Sequence, residues 1–170
     1  MDFKKYVRDI QDFPEKGITF KDITPLLQDA NALAAAGEAL FQLVKPLEVD
    51  KVVGMESRGF IFAPMLATRL KAGFVPVRKR GKLPHQIISE SYELEYGTDV
   101  LEIHLDSIIK GERVLVHDDV LATGGTAKAV CKLIEKLGGE VVQCNFLMEL
   151  HFLKGREKLS GYPIASLIQY

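Results

Sequence analysis

The stretch Val114-Leu115-Val116-His117-Asp118-Asp119-Val120-Leu121-Ala122-Thr123-Gly124-Gly125-Thr126-Ala127 decides the fold. An apolar strand ends in two adjacent carboxylates, a short turn follows, and Thr123-Gly124-Gly125-Thr126 opens an amphipathic helix. A turn at a helix N-terminus is a phosphate cradle, because its backbone N–H groups lack helical partners and the helix dipole is positive there. The acids beside it call for a different ligand group. A carboxylate only accepts hydrogen bonds, so Asp118 and Asp119 should face donors rather than phosphate oxygens. A sugar diol supplies donors, and the run therefore reads as a site for a ribose 5-phosphate. The competing reading is an ordinary buried strand with a Gly-rich turn. Against it stands the cost of burying two adjacent acids without a ligand or partner.

Outward from this run, strands and helices alternate. A helix is expected from about Asp29 to Val44, with Leu33, Ala36, Leu40, Phe41 and Val44 at helical spacing. Val52-Val53-Gly54 is a short strand leading into Glu56-Ser57-Arg58-Gly59. A second helix carries Ile61, Pro64, Met65 and Leu70, with Pro64 expected in its first turn. Phe74-Val75-Pro76-Val77 is another strand, and further strands are expected at 100–104, 113–117, 140–149 and near 164–168. The helix at 124–137 should bury Ala127, Val130, Cys131, Ile134 and Leu137, and Gly138-Gly139 closes it. Residues 2–11 have mild helical character, 12–17 are turn chemistry, and Thr24-Pro25 punctuates again. From Arg80 to Asp99 the pattern is polar, with Gly81, Pro84 and Gly97, and reads as an irregular lid. The expectation is a single α/β domain over 1–170 with a mainly parallel central sheet flanked by helices. In such sheets ligands bind at the carboxyl ends of the strands, where Asp118, Glu56 and Arg78 would converge.

Composition narrows the class. The chain has 170 residues, 47% of them apolar and 26% charged, with a net charge of −1, which is ordinary for a globular protein with one sizeable core. A near-neutral balance argues against a general nucleic-acid surface. No apolar stretch reaches the length of a membrane span, and the N-terminus lacks the apolar core of a signal peptide. Cys131 and Cys144 show no metal-ligand spacing and read as buried thiols in a reducing compartment, pointing to the cytosol. His117 reads as a packed strand histidine, while His85, His104 and His151 form no interpretable cluster.

The segment VLVHDDVLATGGTA resembles the phosphoribosyl pyrophosphate signature of the type I phosphoribosyltransferases. Further segments extend the likeness. Glu56-Ser57-Arg58-Gly59 is similar to that family's pyrophosphate-binding loop, and Arg78-Lys79-Arg80-Gly81-Lys82 to its basic pyrophosphate-reaching stretch. Asp12 to Leu27, Ser91 to Gly97 and Leu153 to Leu159 resemble its adenine-using members, the first of these their small N-terminal hood, about 1–35 here. The likeness runs from about Asp12 to the C-terminus, with the mobile lid at about 80–99.

The resemblance implies transfer of a phosphoribosyl group from phosphoribosyl pyrophosphate to adenine. It implies phosphoribosyl contacts at Asp118, Asp119, Ala122, Thr123, Gly124, Gly125, Thr126 and Ala127, and pyrophosphate contacts at Ser57, Arg58, Arg78, Lys79 and Lys82. Backbone groups of Thr19 and Lys21 would meet the adenine edge, with Phe20 stacked on one ring face and Leu121 on the other. Lys21 replaces the commoner arginine, which matters little for a backbone contact. Glu95 would act at N7 of the base and Arg58 on the leaving group, the catalytic pair of the site. Mg2+ would be held mainly by the substrate, with no direct protein ligand. The basic stretch would act partly on a neighbouring subunit's site, implying a homodimer. No nucleic-acid or membrane partner is expected. A transferase for another purine base, and a regulator that binds phosphoribosyl pyrophosphate as a signal, stand as alternatives.

Overall fold

The computed structural model describes residues 1–93 and 97–170, and divides into two compact units, Met1–Ala39 and Leu40–Tyr170. In the first unit a 3₁₀ turn at Phe3–Tyr6 leads into β1 (Arg8–Gln11), paired antiparallel with β2 (Thr19–Asp22). Residues 2–11 thus form a turn and a strand rather than a helix. Cross-strand partners decide the outcome: Thr19 donates to Gln11 at 2.8 Å and Lys21 to Asp9 at 2.7 Å. The 12–17 turn forms as expected, with a cis Phe13–Pro14 bond and the Gly17 N–H on the Asp12 carboxylate at 2.7 Å. Asp22 then caps α1 (Thr24–Gln28), accepting from the Thr24 hydroxyl at 2.6 Å and from its N–H at 2.9 Å, and also from Arg8 at 2.6 Å. The Thr24 bonds and the Arg8 guanidinium hold the Asp22 carboxyl down at about 2. Helix α2 (Ala30–Val44) follows at the expected place.

The second unit is built on a seven-stranded sheet: β3 (Lys51–Met55), β4 (Gly73–Lys79), β5 (Ile87–Glu93), β6 (Thr98–His104), β7 (Arg113–Leu121), β8 (Glu140–Glu149) and β9 (Ile164–Gln169). The order across the sheet is β5-β6-β4-β3-β7-β8-β9. The β4-β3-β7-β8-β9 run is parallel, and β6 and β5 extend it antiparallel. Near-continuous apolar runs such as Val52-Val53 and Val114-Leu115-Val116 are fully buried, as central strands of a parallel sheet require. α3 (Gly59–Leu70) and α4 (Gly125–Leu137) join these strands, and α4 buries Ala127, Val130, Cys131 and Ile134. A 3₁₀ turn at His151–Leu153 and the short α5 (Gly155–Lys158) precede β9.

Some expectations need correction. Pro64 sits inside α3, beyond its first turn. Proline has no N–H, so one helical bond is lost, but the buried face of Phe62, Ala63, Leu66 and Ala67 keeps the helix in place. The segment 80–99 is not irregular throughout: β5 and β6 pair in continuous register from Ile87↔His104 to Glu93↔Thr98. Alternation was weak in the sequence because the inward side is only half-buried, through Ile88, Glu90 and Tyr92. Finally, β7 runs through the two acids to Leu121 instead of ending before them, because β8 pairs with it as far as Glu149.

Candidate active site

Three parallel neighbours, β4, β3 and β7, bring the chemistry to their carboxyl ends. At the end of β7, Ala122 to Gly124 turn the chain into α4. Gly124 has φ +79, and α4 has no side-chain cap, so its first N–H groups have no capping acceptor. With Asp118, Val120, Leu121, Thr126 and Ala127 this turn encloses a cavity of about 60 Å³. A larger, open hollow of about 450 Å³ lies between β5 and α4 and includes Lys128 and Lys132, but neither acid.

The acids are electrostatically uneasy. Burial and the neighbouring Asp119 push the Asp118 carboxyl well above the usual range. Burial also raises Asp119, against the pull of the Arg58 guanidinium. Arg58 Nε lies 2.9 Å from Asp119 Oδ2. This is a charge contact rather than an aligned hydrogen bond, since Oδ2 is buried and lacks an aligned donor. Two adjacent acids, Asp119 buried and Asp118 half-buried with its Oδ1 on the Asp119 N–H at 2.9 Å, form an arrangement that hydroxyl donors or positive charge from outside would relieve.

Arg58 comes from the turn after β3. The Glu56–Ser57 bond is cis, Ser57 is exposed, and α3 begins at Gly59. Only glycine fits there: a Cβ on Gly59 would lie 2.9 Å from the His117 carbonyl oxygen and 3.0 Å from Asp118 Oδ1. That close approach locks the Glu56–Gly59 turn against the acids. Glu56 reaches the other way. It accepts from the Lys79 N–H at 2.8 Å and from Arg78 at 3.3 Å. Burial raises its carboxyl, but these donors outweigh it and hold the group below the usual range. Lys79 in turn pairs with Asp99 at 3.1 Å, while Lys82 is exposed. The structure thus brings Arg58, Asp118, Asp119 and the α4 turn together, and holds Arg78 and Lys79 on Glu56 and Asp99.

The remaining expected site residues are distributed as follows. Thr19, Phe20 and Lys21 occupy β2 of the N-terminal unit, all half-buried, with the Phe20 ring edge-on to Phe13 at 5.2 Å. Leu121 is the last residue of β7 and is buried. Glu95 lies outside the described residues. His117 is packed as expected: Nδ1 is 2.9 Å from Asn145 Oδ1, and burial pushes the ring down to about 4, so it stays neutral. Cys131 and Cys144 are buried thiols with their sulfurs 3.6 Å apart. Sequence reasoning missed Glu149, which ends β8 and carries a fork from Arg156 at 2.6 and 2.7 Å. The signal was there, since Glu149 is an acid closing an apolar strand, as Asp118 and Asp119 do in β7.

The chain matches the family described as "Phosphoribosyl transferase domain" over residues 22–161. It is 64% identical to the adenine phosphoribosyltransferase of Christiangramia forsetii, over all of this chain and 99% of that one. It superposes on the adenine phosphoribosyltransferase of Thermoanaerobacter pseudethanolicus with a TM-score of 0.97 at 54% identity, covering 99% of this chain and 98% of that one. The Saccharomyces cerevisiae enzyme, complexed with an iminoaltritol 1,6-bisphosphate and adenine, matches with a TM-score of 0.91 at 41% identity, over 97% of this chain and 96% of that one.

Proposed function

We infer what this chain does from one premise: it belongs to the type I phosphoribosyltransferases and, within them, to the adenine phosphoribosyltransferases. It transfers the 5-phosphoribosyl group of phosphoribosyl pyrophosphate to adenine, giving AMP and pyrophosphate, a step of purine salvage. The observation that carries this in the structure is the juxtaposition of Asp118 and Asp119 with the open N-terminus of α4. One half accepts from a diol, the other donates to a phosphate.

The roles follow from chemistry. N–H groups of Ala122 to Ala127 hold the 5-phosphate, with the Thr123 and Thr126 hydroxyls as added donors. Asp118 and Asp119 accept from the ribose hydroxyls and stay close to the sugar carbon as it gains positive character. Arg58 spans from the pyrophosphate turn to Asp119, so its charge stands between sugar and leaving group. Ser57, Lys82, Arg78 and Lys79 complete the pyrophosphate site, Arg78 and Lys79 being pre-placed by Glu56 and Asp99. The adenine contacts assigned by the family resemblance are the Phe20 ring and the Leu121 side chain for the ring faces and the Thr19 and Lys21 backbone groups for its edge. An acceptor facing the 6-amino group rejects hypoxanthine, whose oxygen would leave two acceptors opposed. Glu95 handles the base proton.

A magnesium ion fits this donor set. Among the described residues no cluster of His, Cys, Asp or Glu forms a protein cage; an ion held mainly by the substrate would find hard oxygens in Asp118 and Asp119. When bound, that ion neutralises charge on the leaving pyrophosphate. The active unit is a homodimer in which the basic stretch acts partly on the neighbouring subunit's pyrophosphate, and the reduced pair Cys131 and Cys144 suits a cytosolic protein. No helix among the described residues is long and apolar enough to cross a membrane.

The test is a competition. Purified protein is incubated with phosphoribosyl pyrophosphate, magnesium and equimolar adenine, hypoxanthine, guanine and xanthine, and the nucleotides are separated. AMP alone is the expected product. A different nucleotide would overturn the adenine assignment and keep the phosphate cradle. No nucleotide from protein that still binds phosphoribosyl pyrophosphate would favour a regulator. Glu95→Ala should lower turnover with phosphoribosyl pyrophosphate binding nearly intact; unchanged turnover would remove Glu95 from its role.

A further inference from the structure

The phosphate-binding turn rests on a second piece of backbone. Gly155 is buried, and a Cβ there would run into the Ala122 carbonyl and come within 2.9 Å of Leu121 Cδ1. Gly124, in its left-handed conformation, faces the same residue: a Cβ on it would run into the Gly155 carbonyl. The turn and the start of α5 are therefore in direct backbone contact, with no side chain between them. The Leu150 N–H on the Leu121 carbonyl at 2.9 Å ties the two strand ends together just below.

What fixes Gly155 is its neighbour. Arg156 forks onto Glu149, Nε to Oε1 at 2.6 Å and Nη2 to Oε2 at 2.7 Å. Glu149 is itself 3% exposed and pinned by the Ser166 hydroxyl at 2.8 Å, and its backbone carbonyl takes the Tyr170 N–H at 3.0 Å. His151 Nε2 adds a contact at 3.3 Å. A bidentate guanidinium–carboxylate pair sets orientation as well as distance, which a single charge contact does not. Glu149 thus anchors one end of the fork in β8 and β9, and Arg156 carries that registration into α5, whose first residue is the floor of the turn.

We propose that Glu149 and Arg156 are positioning residues for the phosphate-binding turn, acting through the Gly155 backbone. This rests on the phosphoribosyl reading above and adds residues to it that contact no substrate. The expected signature is selective. Disturbing the floor misplaces the turn amides that meet the 5-phosphate, and misplacement by even about 1 Å costs heavily. Disturbing it through Glu149 or Arg156 touches no residue assigned to the base, whereas Gly155→Ala also crowds Leu121.

The experiment compares Gly155→Ala, Arg156→Lys and Glu149→Gln with the wild type in two measurements. Steady-state kinetics should give a rise in KM for phosphoribosyl pyrophosphate of about tenfold or more for Gly155→Ala. A smaller rise is expected for Arg156→Lys, which keeps the charge but not the fork. KM for adenine should stay within about twofold in Arg156→Lys and Glu149→Gln, the two variants that do not crowd Leu121. In Arg156→Lys and Glu149→Gln, calorimetric binding should weaken for AMP and not for adenosine. Arg156→Lys and Glu149→Gln keep size and polarity, so the comparison survives if Gly155→Ala does not fold. A lowered kcat with both KM values unchanged, or equal losses for AMP and adenosine, would overturn the proposal and reduce the pair to a structural tie. A wild-type protein that binds AMP no better than adenosine would instead remove the phosphate reading beneath it, and that measurement needs no variant.

Discussion

At the end of β7, Asp118 and Asp119 lie side by side with Arg58 as counter-charge, and their carboxyls are pushed up. One strand over, at the end of β8, Glu149 is just as buried, yet a forked guanidinium and a hydroxyl outweigh that burial and hold its carboxyl down. The two strands pair from Asp118↔Phe146 to Leu121↔Glu149, so Glu149 stands opposite Leu121, and Asp119 and Glu149 are equally buried at 3% exposed. The difference lies in whether the protein supplies the partners itself. Where it does, the acid fastens the fold; where it does so only in part, as at Asp118 and Asp119, the proposed reading has the acid held for a ligand.

Removing partners should expose the contrast most strongly. Arg156→Ala leaves Glu149 buried without its fork. Breaking a fully buried pair costs about 3–5 kcal/mol, and because the Arg156 side chain is 44% exposed the loss here should be about 2–3 kcal/mol, read from urea denaturation. Asp119→Asn should cost no stability, since it deletes an undercompensated charge. A comparable loss at both sites would erase the distinction.

Binding reverses the order. Asp119→Asn should weaken the sugar-phosphate ligand by about 1.5–3 kcal/mol, the worth of a hydrogen bond to a charged group. A wild-type affinity by calorimetry would contradict the diol assignment.

The smallest effect is in pH. A carboxyl raised in the fold costs stability once it ionises, so the penalty from Asp118 is absent below its unfolded value and grows as pH rises through its folded one. Asp118→Asn should therefore be more stabilising, relative to wild type, at pH 8 than at pH 4. Glu149 behaves oppositely: its contribution is present above the unfolded value and is lost as pH falls through the depressed one. Glu149→Gln should cost more at pH 7 than at pH 3. Parallel pH profiles for the two variants would break the contrast.

The sequence made the β7 site legible because its chemistry is local. Two acids, a turn and a helix start are contiguous from Asp118 to Thr126, and the apolar run before them placed them at the carboxyl end of a strand. The alternating strands and helices followed in the same way. Glu149 could be marked as an acid closing an apolar strand, but its role with Arg156 could not, because that role depends on the Gly155 turn folding beneath residues 122–124, more than thirty positions earlier. β5 was missed, and β6 was expected only from residue 100, for a related reason. Their stability comes from each other and from Ile88 and Tyr92 on the core, while each strand taken alone is too polar to alternate clearly.

The most direct test of the central assignment is a cycle between ligand hydroxyl and acid. Affinities of AMP, 2′-deoxy-AMP and 3′-deoxy-AMP are measured for the wild type, Asp118→Asn, Asp119→Asn and Glu149→Gln. If the β7 acids hold the diol, losing a hydroxyl costs affinity in the wild type and in Glu149→Gln, and costs markedly less in at least one β7 variant. If the hydroxyl penalties are the same in all four proteins, Asp118 and Asp119 do not hold the sugar.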